Sequence, residues 1–177
     1  MKISHQTILL FGISLLVFSC ETAIDKENVD KYYSSIVIMT EKQDASYKKF
    51  VSTFKTLIDK ANVSEGRRLD STDLATLTNS YKVFIYGLKS DKKMLQNLKE
   101  VDQEINLKYN IEKHISFVDS ALQAFMPKVF HYLKISLDSA DNKFWQEFDS
   151  LKIVTETEQN QRKKIDELAE KFRQKYP

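Results

Sequence analysis

Residues 106–135, NLKYNIEKHISFVDSALQAFMPKVFHYLKI, carry the most regular apolar pattern in the chain. Ile111, Ile115, Val118, Leu122, Phe125, Val129 and Tyr132/Leu133 recur at steps of three and four, which marks one face of an α-helix. Asn106 or Asn110 is placed to cap its start. Pro127 falls inside the pattern and removes one backbone hydrogen bond, so a kink is expected around Ala124–Met126. Phe125, Met126 and Phe130 beside it are large enough to fill the space a kink opens.

The same periodicity extends on both sides. A first helix runs from a cap at Asp25 to about Asn62, with the stripe Val29, Tyr32/Tyr33, Ile36, Met39, Tyr47, Phe50, Phe54, Leu57/Ile58 and Ala61. The stripe thins at Gln43. Residues 62–70, with Gly66, form the most loop-like stretch. Asp70, Ser71 or Thr72 caps a second helix with the stripe Leu74, Leu77, Tyr81, Phe84, Leu88, Leu95, Leu98, Val101 (or Asp102) and Ile105. Ser90-Asp91-Lys92 interrupts it. The phase is the same on either side, which favours one helix to about 105 over a break near 89. Asp138, Ser139 or Asp141 caps a fourth helix with the stripe Phe144, Phe148, Leu151, Val154/Thr155, Glu158, Gln161/Arg162, Ile165, Leu168/Ala169 and Phe172. Its middle, Glu156 to Gln161, is polar. That stretch lies at the same height as the thin spot at Gln43, so the two polar patches are predicted to face each other.

The four segments span roughly 29–38 residues, on the order of 45–55 Å each at 1.5 Å per residue. Similar lengths joined by short turns predict an all-α fold, an elongated up-down-up-down four-helix bundle with the third helix kinked at Pro127. Composition agrees. The whole chain holds only three Gly and two Pro among 177 residues, too few turn formers for hairpins or a sandwich, and eleven Phe, eight Tyr and one Trp supply a core.

The first twenty residues are different in kind. Lys2 is followed by an apolar run, Ile8 to Phe18, too short to span a bilayer core of roughly 30 Å. It ends in Leu16-Val17-Phe18-Ser19-Cys20, which resembles the lipobox of a bacterial lipoprotein precursor. The resemblance implies a signal peptide over 1–19, cleavage before Cys20, acylation of its thiol and new amino group, a short tether over 20–24 and a helical domain over 25–177. Glu21, with Asp25 and Glu27 nearby, resembles the acidic signals that sort some lipoproteins to the outer membrane or the cell surface, so a lipid-anchored envelope location is expected, outer membrane rather than inner. Beyond the lipobox the chain resembles small helical lipoproteins of unassigned role from Gram-negative envelopes.

Charge and motifs narrow the function. Without Lys2, the 27 Lys and Arg fall to 26 against 25 Asp and Glu, so nothing points to nucleic acid, which requires a clustered basic surface. Cys20 is the only cysteine, so no disulfide forms within the chain. The Glu-x-x-His pairs of di-metal bundles are missing: Ile111 and Lys128 stand three residues before His114 and His131. No nucleophile elbow, phosphate loop or dinucleotide fingerprint occurs. His114 and Asp119 are five apart and sit on different helix faces, and His114 reads as a histidine at the edge of the core stripe. No catalytic residue, metal or cofactor is expected.

The expectation is therefore a non-catalytic, membrane-anchored protein-interaction module. In an up-down bundle tethered at Cys20, the end away from the bilayer carries Glu65, Arg67, Arg68, Asp70, Asp138 and Asp141, with Trp145 beside them, and a protein partner would meet these first. Lys171, Arg173 and Lys175 in the last turns of the fourth helix suit the negative end of its dipole and lie on the lipid side. Phe117, Phe130 and Trp145 flank the core stripes and belong either to a wide core face or to an exposed patch. The alternative is a bundle that holds a small ligand, a lipid or a haem bound by His114 or His131 with Met39, Met94 or Met126, in a cavity behind Pro127.

Overall fold

The computed structural model describes residues 26–177, apart from the side chains of 150–153. The expected signal peptide, Cys20, the tether, the Asp25 cap and the stripe position Leu151 lie outside the described residues. Those described are helical with no strand, in four long helices: α1 (Lys26–Val63), α2 (Ser71–Asn97), α3 (Leu107–Ile135) and α4 (Asn142–Lys175). Short 3-10 turns at Glu65–Arg67 and Leu137–Ser139 join α1 to α2 and α3 to α4. None of the helices is long and apolar enough to cross a membrane.

The stripes predicted from periodicity are the buried faces. Ile36, Met39, Phe84, Leu88, Ile111, Ile115, Leu133 and Phe172 are almost wholly shielded from water, and each such side chain stabilises the fold by about 1.5–3 kcal/mol. Each helix packs against the next in the chain. Aromatic contacts fix the pairings. Phe50 of α1 stacks on Phe84 of α2 at 5.6 Å, Tyr81 of α2 meets Phe130 of α3 edge-on at 5.5 Å, and Phe125 of α3 stacks on Phe144 of α4 at 6.1 Å. Phe117, Phe130 and Trp145 are half-buried against the core, which settles the flanking aromatics as part of a wide core face.

Helix starts follow side-chain caps. Asp70 accepts hydrogen bonds from the amides of Thr72 and Asp73 at 2.9 and 2.8 Å, and Asp141 accepts one from Phe144 at 2.7 Å. α3 starts at Leu107 without such a cap, because Asn106 is left-handed (φ 51°) and its side chain makes no capping bond. Its amide donors are met from elsewhere. The Lys108 N–H donates to the Tyr32 hydroxyl and to Glu100 Oε2, both at 3.1 Å.

The second helix is shorter than its stripe implies, which corrects the expectation. α2 is continuous through Ser90-Asp91, but it ends at Asn97 and not near 105. Glu100 and Asp102 unwind the segment after it. Asp102 accepts from the amides of Glu104 and Ile105 at 2.9 and 3.0 Å, and Glu100 accepts from Val101 at 3.1 Å. These local bonds compete with the helical ladder. Tyr32 then donates to Glu100 at 2.6 Å, while Lys175 and the Tyr176 hydroxyl reach Asp102 at 2.7 and 3.1 Å. The two carboxylates thus tie α1, the link and both neighbouring helix ends together. Burial opposes ionisation of Asp102, but Lys175, Tyr176 and the two amides outweigh it and hold its carboxyl below the usual range.

At the opposite end the Leu69 amide donates to the Leu133 carbonyl at 2.9 Å, and the Ser136 hydroxyl to the Gly66 carbonyl at 2.6 Å. Gly66 sits at φ 68°, where a side chain would be strained.

Asp91 is buried in α2 with only Lys42 to offset it, and burial pushes its carboxyl up to about 6. Between the ordinary aspartate value and that figure, unfolding releases the proton that the folded chain keeps, so stability falls as pH rises through the interval. Asp91→Asn should remove this slope and stabilise the protein at pH 7.5 by about 1–2 kcal/mol, less than the full shift because Lys42 and solvent screen the charge. Urea unfolding at pH 4.5 and 7.5 measures it, and the difference between variant and parent should be clearly smaller at the lower pH, which lies just above the ordinary aspartate value.

Candidate functional site

Successive helices pack closely, whereas α1 and α4, at the two ends of the chain, meet mainly through side chains. Near the start of α1, Tyr33 stacks on Phe172 of α4 at 5.7 Å with the rings nearly parallel. Midway, Arg162 of α4 reaches across. Its guanidinium binds Asp44 of α1 at 2.9 Å through Nη1, binds Glu158 one turn earlier on its own helix through Nε, and lies 4.8 Å from the centre of the Tyr47 ring.

The two polar patches do come together here. Gln43 and Asp44 from α1, His114 from α3 and Glu158, Gln161 and Arg162 from α4 form one cluster. The His114 ring is almost wholly buried, with Nδ1 3.2 Å from Gln161 Oε1 and Nε2 3.7 Å from Glu158 Oε1. This corrects its reading as a boundary residue. Burial, reinforced by Arg162, holds the imidazole below its usual range against the pull of Gln161 and Glu158. Glu158 is also deeply buried, as is Gln43, whose Nε2 makes no hydrogen bond. A cleft of about 340 Å³ opens at this cluster, lined by Thr40, Gln43, Asp44, His114, Arg162 and Asp166 among others.

Beyond the Arg162 bridge the seam opens into an apolar groove of about 280 Å³. Phe50, Val51 and Phe54 of α1 form one wall, Val154 and Thr155 of α4 the other, and Val118, Leu122, Phe125 and Met126 of α3 the floor. Tyr47 and Glu158 stand at the bridge end. Val51 is 40% exposed at the lip. Phe125 and Met126 on its floor directly precede Pro127 in α3.

The residues expected at the distal tip are gathered at one end, and most of their charges serve the fold. Arg67 pairs with Asp138 at 2.9 Å and bonds Asn62. Asp70 and Asp141 are the caps described above, and Trp145 packs on Phe144 and Phe148. Glu65 and Arg68 are exposed, close to the exposed Val63 and Ile135. At the other end Lys175 binds Asp102 and Glu104, and Arg173 binds Glu170, so these basic residues neutralise carboxylates. His131 is exposed and far along α3 from His114. Among the described residues no group of three or more His, Cys, Asp or Glu is placed to hold a metal.

The groove was not legible in the sequence, since Phe50, Leu122 and Phe125 are ordinary stripe residues. The signal available was the polar break in two stripes at one height, because a bundle cannot pack tightly around a charge that needs partners. Comparison with family models, curated proteins and solved structures gives no match for this chain.

Arg162→Met leaves Glu158 buried without its cation and should cost about 2–4 kcal/mol. Adding Glu158→Gln should recover more than about 1 kcal/mol, giving a coupling that a double-mutant cycle in urea resolves. Strictly additive losses would show that the bridge does not hold the seam.

Proposed function

We propose that this chain is a lipid-anchored, non-catalytic helical bundle of a bacterial envelope that binds a small apolar ligand in the groove between α1 and α4. The antiparallel contacts of successive helices support an up-down-up-down bundle. A bend in α3 at Pro127, where the missing N–H leaves the Gln123 carbonyl without its helical partner, would widen the seam beside Phe125 and Met126. The resemblance of residues 16–20 to a lipobox supports the anchor at Cys20 and hence the envelope location.

The observation that carries the binding reading is the groove itself. It is walled by aromatic and aliphatic side chains, reaches solvent along the seam and ends on a few polar groups, the pattern common to small-ligand sites. Purified from its native membranes and extracted with organic solvent, the protein should yield a stoichiometric apolar molecule. Leu122→Trp should abolish that yield without lowering helicity by circular dichroism. An empty extract from wild-type protein, together with no uptake of an alkyl probe, would refute the reading. Radiolabelled palmitate should enter the wild-type chain and not Cys20→Ser.

A protein partner at the distal end is the second reading. It is favoured by the exposure of Val63, 87%, and Ile135, 43%, next to the unpaired side chains of Glu65 and Arg68. It differs in outcome: a co-purifying protein in equimolar amount should be lost with Val63→Asp and unaffected by Leu122→Trp.

A further inference from the structure

The groove is apolar along its length and acidic at one end, and this gradient specifies the head of a ligand as well as its tail. Among the described lining residues Glu158 alone is a carboxylate, and it marks the end nearest Arg162. Past the bridge, Glu41, Asp44 and Asp166 line the adjoining cleft. Arg162, shared between Glu158 and Asp44, and Lys48, which lies 2.6 Å from Asp44, are the cations paired here. Among the described residues no ion pair reaches Glu41 or Asp166, so the lining carboxylates exceed their paired cations. An anionic head would add to the excess, while an ammonium would relieve it.

Two further features bear on the head. Gln43 is 6% exposed and lines the cleft, and its Nε2 is a donor without an acceptor. A buried donor of this kind gains from an oxygen brought by a ligand. Arg162 holds Glu158 and Asp44 through different nitrogens, Nε and Nη1. A cation arriving at Glu158 can displace Nε while Nη1 keeps the seam closed on Asp44. The apolar space, about 280 Å³, takes on the order of nine methylene-sized groups at roughly 30 Å³ each, which is one alkyl chain and not two.

We propose that the groove selects a single-chain amphiphile with an ammonium head that carries a hydroxyl close to the nitrogen. The tail lies between Phe50, Phe54, Val118 and Leu122. The ammonium meets Glu158, and the hydroxyl oxygen accepts from Gln43. This rests on the apolar-ligand reading of the groove and adds the chemistry of the head.

Calorimetric titration of the folded domain with decylammonium, N-(2-hydroxyethyl)decylammonium, decanol and decanoate, each kept below its micelle concentration, tests it. Decylammonium should bind about tenfold tighter than decanoate, and the hydroxyethyl compound tighter still. Glu158→Gln should abolish the preference for the amine over decanol. Should that variant fold poorly, Asp44→Asn at the more exposed rim should reduce the preference instead. Gln43→Leu should remove only the advantage of the hydroxyl. Equal binding of all four probes, or tighter binding of decanoate, would overturn the head-group assignment and leave the groove as an apolar site. No binding of any probe would overturn both.

Discussion

Arg162 leaves α4, lies on the ring of Tyr47 and ends between Glu158 and Asp44, so one side chain joins the last helix to the first. The pairs α1/α2, α2/α3 and α3/α4 are consecutive in sequence, and each is tied by a short connection as well as by packing. The α1/α4 seam has no such tether. It must be closed by side chains alone, and the structure closes it with the Tyr33–Phe172 stack near one end and a charged bridge in the middle. An ion pair gains little over the water it displaces, but it confers direction. Arg162 meets Asp44 and the Tyr47 ring only when α1 and α4 stand in one register.

Placing that bridge mid-height shapes what surrounds it. A buried carboxylate such as Glu158 needs a cation, so Arg162 has to be near; His114 next to both is better tolerated neutral than charged. The cluster interrupts apolar packing across the seam. Below it, Met39, Ile111, Ile115 and Phe172 are buried. Above it, Phe54 and Leu122 remain only half-buried at the groove. The groove is thus the apolar side of the same interruption that produces the polar cleft, and the two share a boundary at Tyr47, Glu158 and Arg162. The ends of the structure are fixed independently by Glu100 and Asp102 at one end and by the Leu69–Leu133 and Ser136–Gly66 hydrogen bonds at the other. The middle can therefore be loose without the helices separating.

Helix periodicity made most of the fold readable from sequence, because burial on one face forces it: Val29, Ile36, Phe84, Ile111, Val129 and Phe172 were all assigned to the core from spacing. Asp70 and Asp141 were each one of three readable cap candidates for the same local reason. The end of α2 was not. Leu98, Val101 and Ile105 continue the stripe because the link still packs on the core, and apolar spacing does not distinguish a helix from a loop laid along the same surface. The deciding residues were Glu100 and Asp102, whose carboxylates take amides from the helical ladder only because Tyr32, Lys175 and Tyr176 hold them in place. His114 was misplaced for a related reason. The width of a buried face depends on how many neighbours a helix has, and α3 has α1, α2 and α4 around it. In the candidate site, the meeting of the two polar stretches was visible as a coincidence of height. The groove depends on the distance between two helices that no local pattern encodes.

An anchor at Cys20 would set a further condition on anything that enters the groove. Phe50 lies 24 residues into α1, about 36 Å along the helix axis at 1.5 Å per residue, and so well beyond the headgroups of a bilayer beneath the first turn. An amphiphile cannot keep its head in the bilayer and its tail at Phe50; it must leave the membrane entirely. Leaving forfeits about 0.8 kcal/mol for each methylene group withdrawn from the bilayer, and the groove returns a similar amount for each one it covers. The tail is then close to neutral in the exchange, and longer tails lose outright because the excess stays in water. What decides between membrane and protein is the head, since a bilayer surface offers it water and lipid phosphates, while the seam offers Glu158, Asp44 and an unmatched amide in a partly dry setting. Selectivity at such a site resides in its few polar atoms, and the apolar walls limit the length of chain that can follow them in.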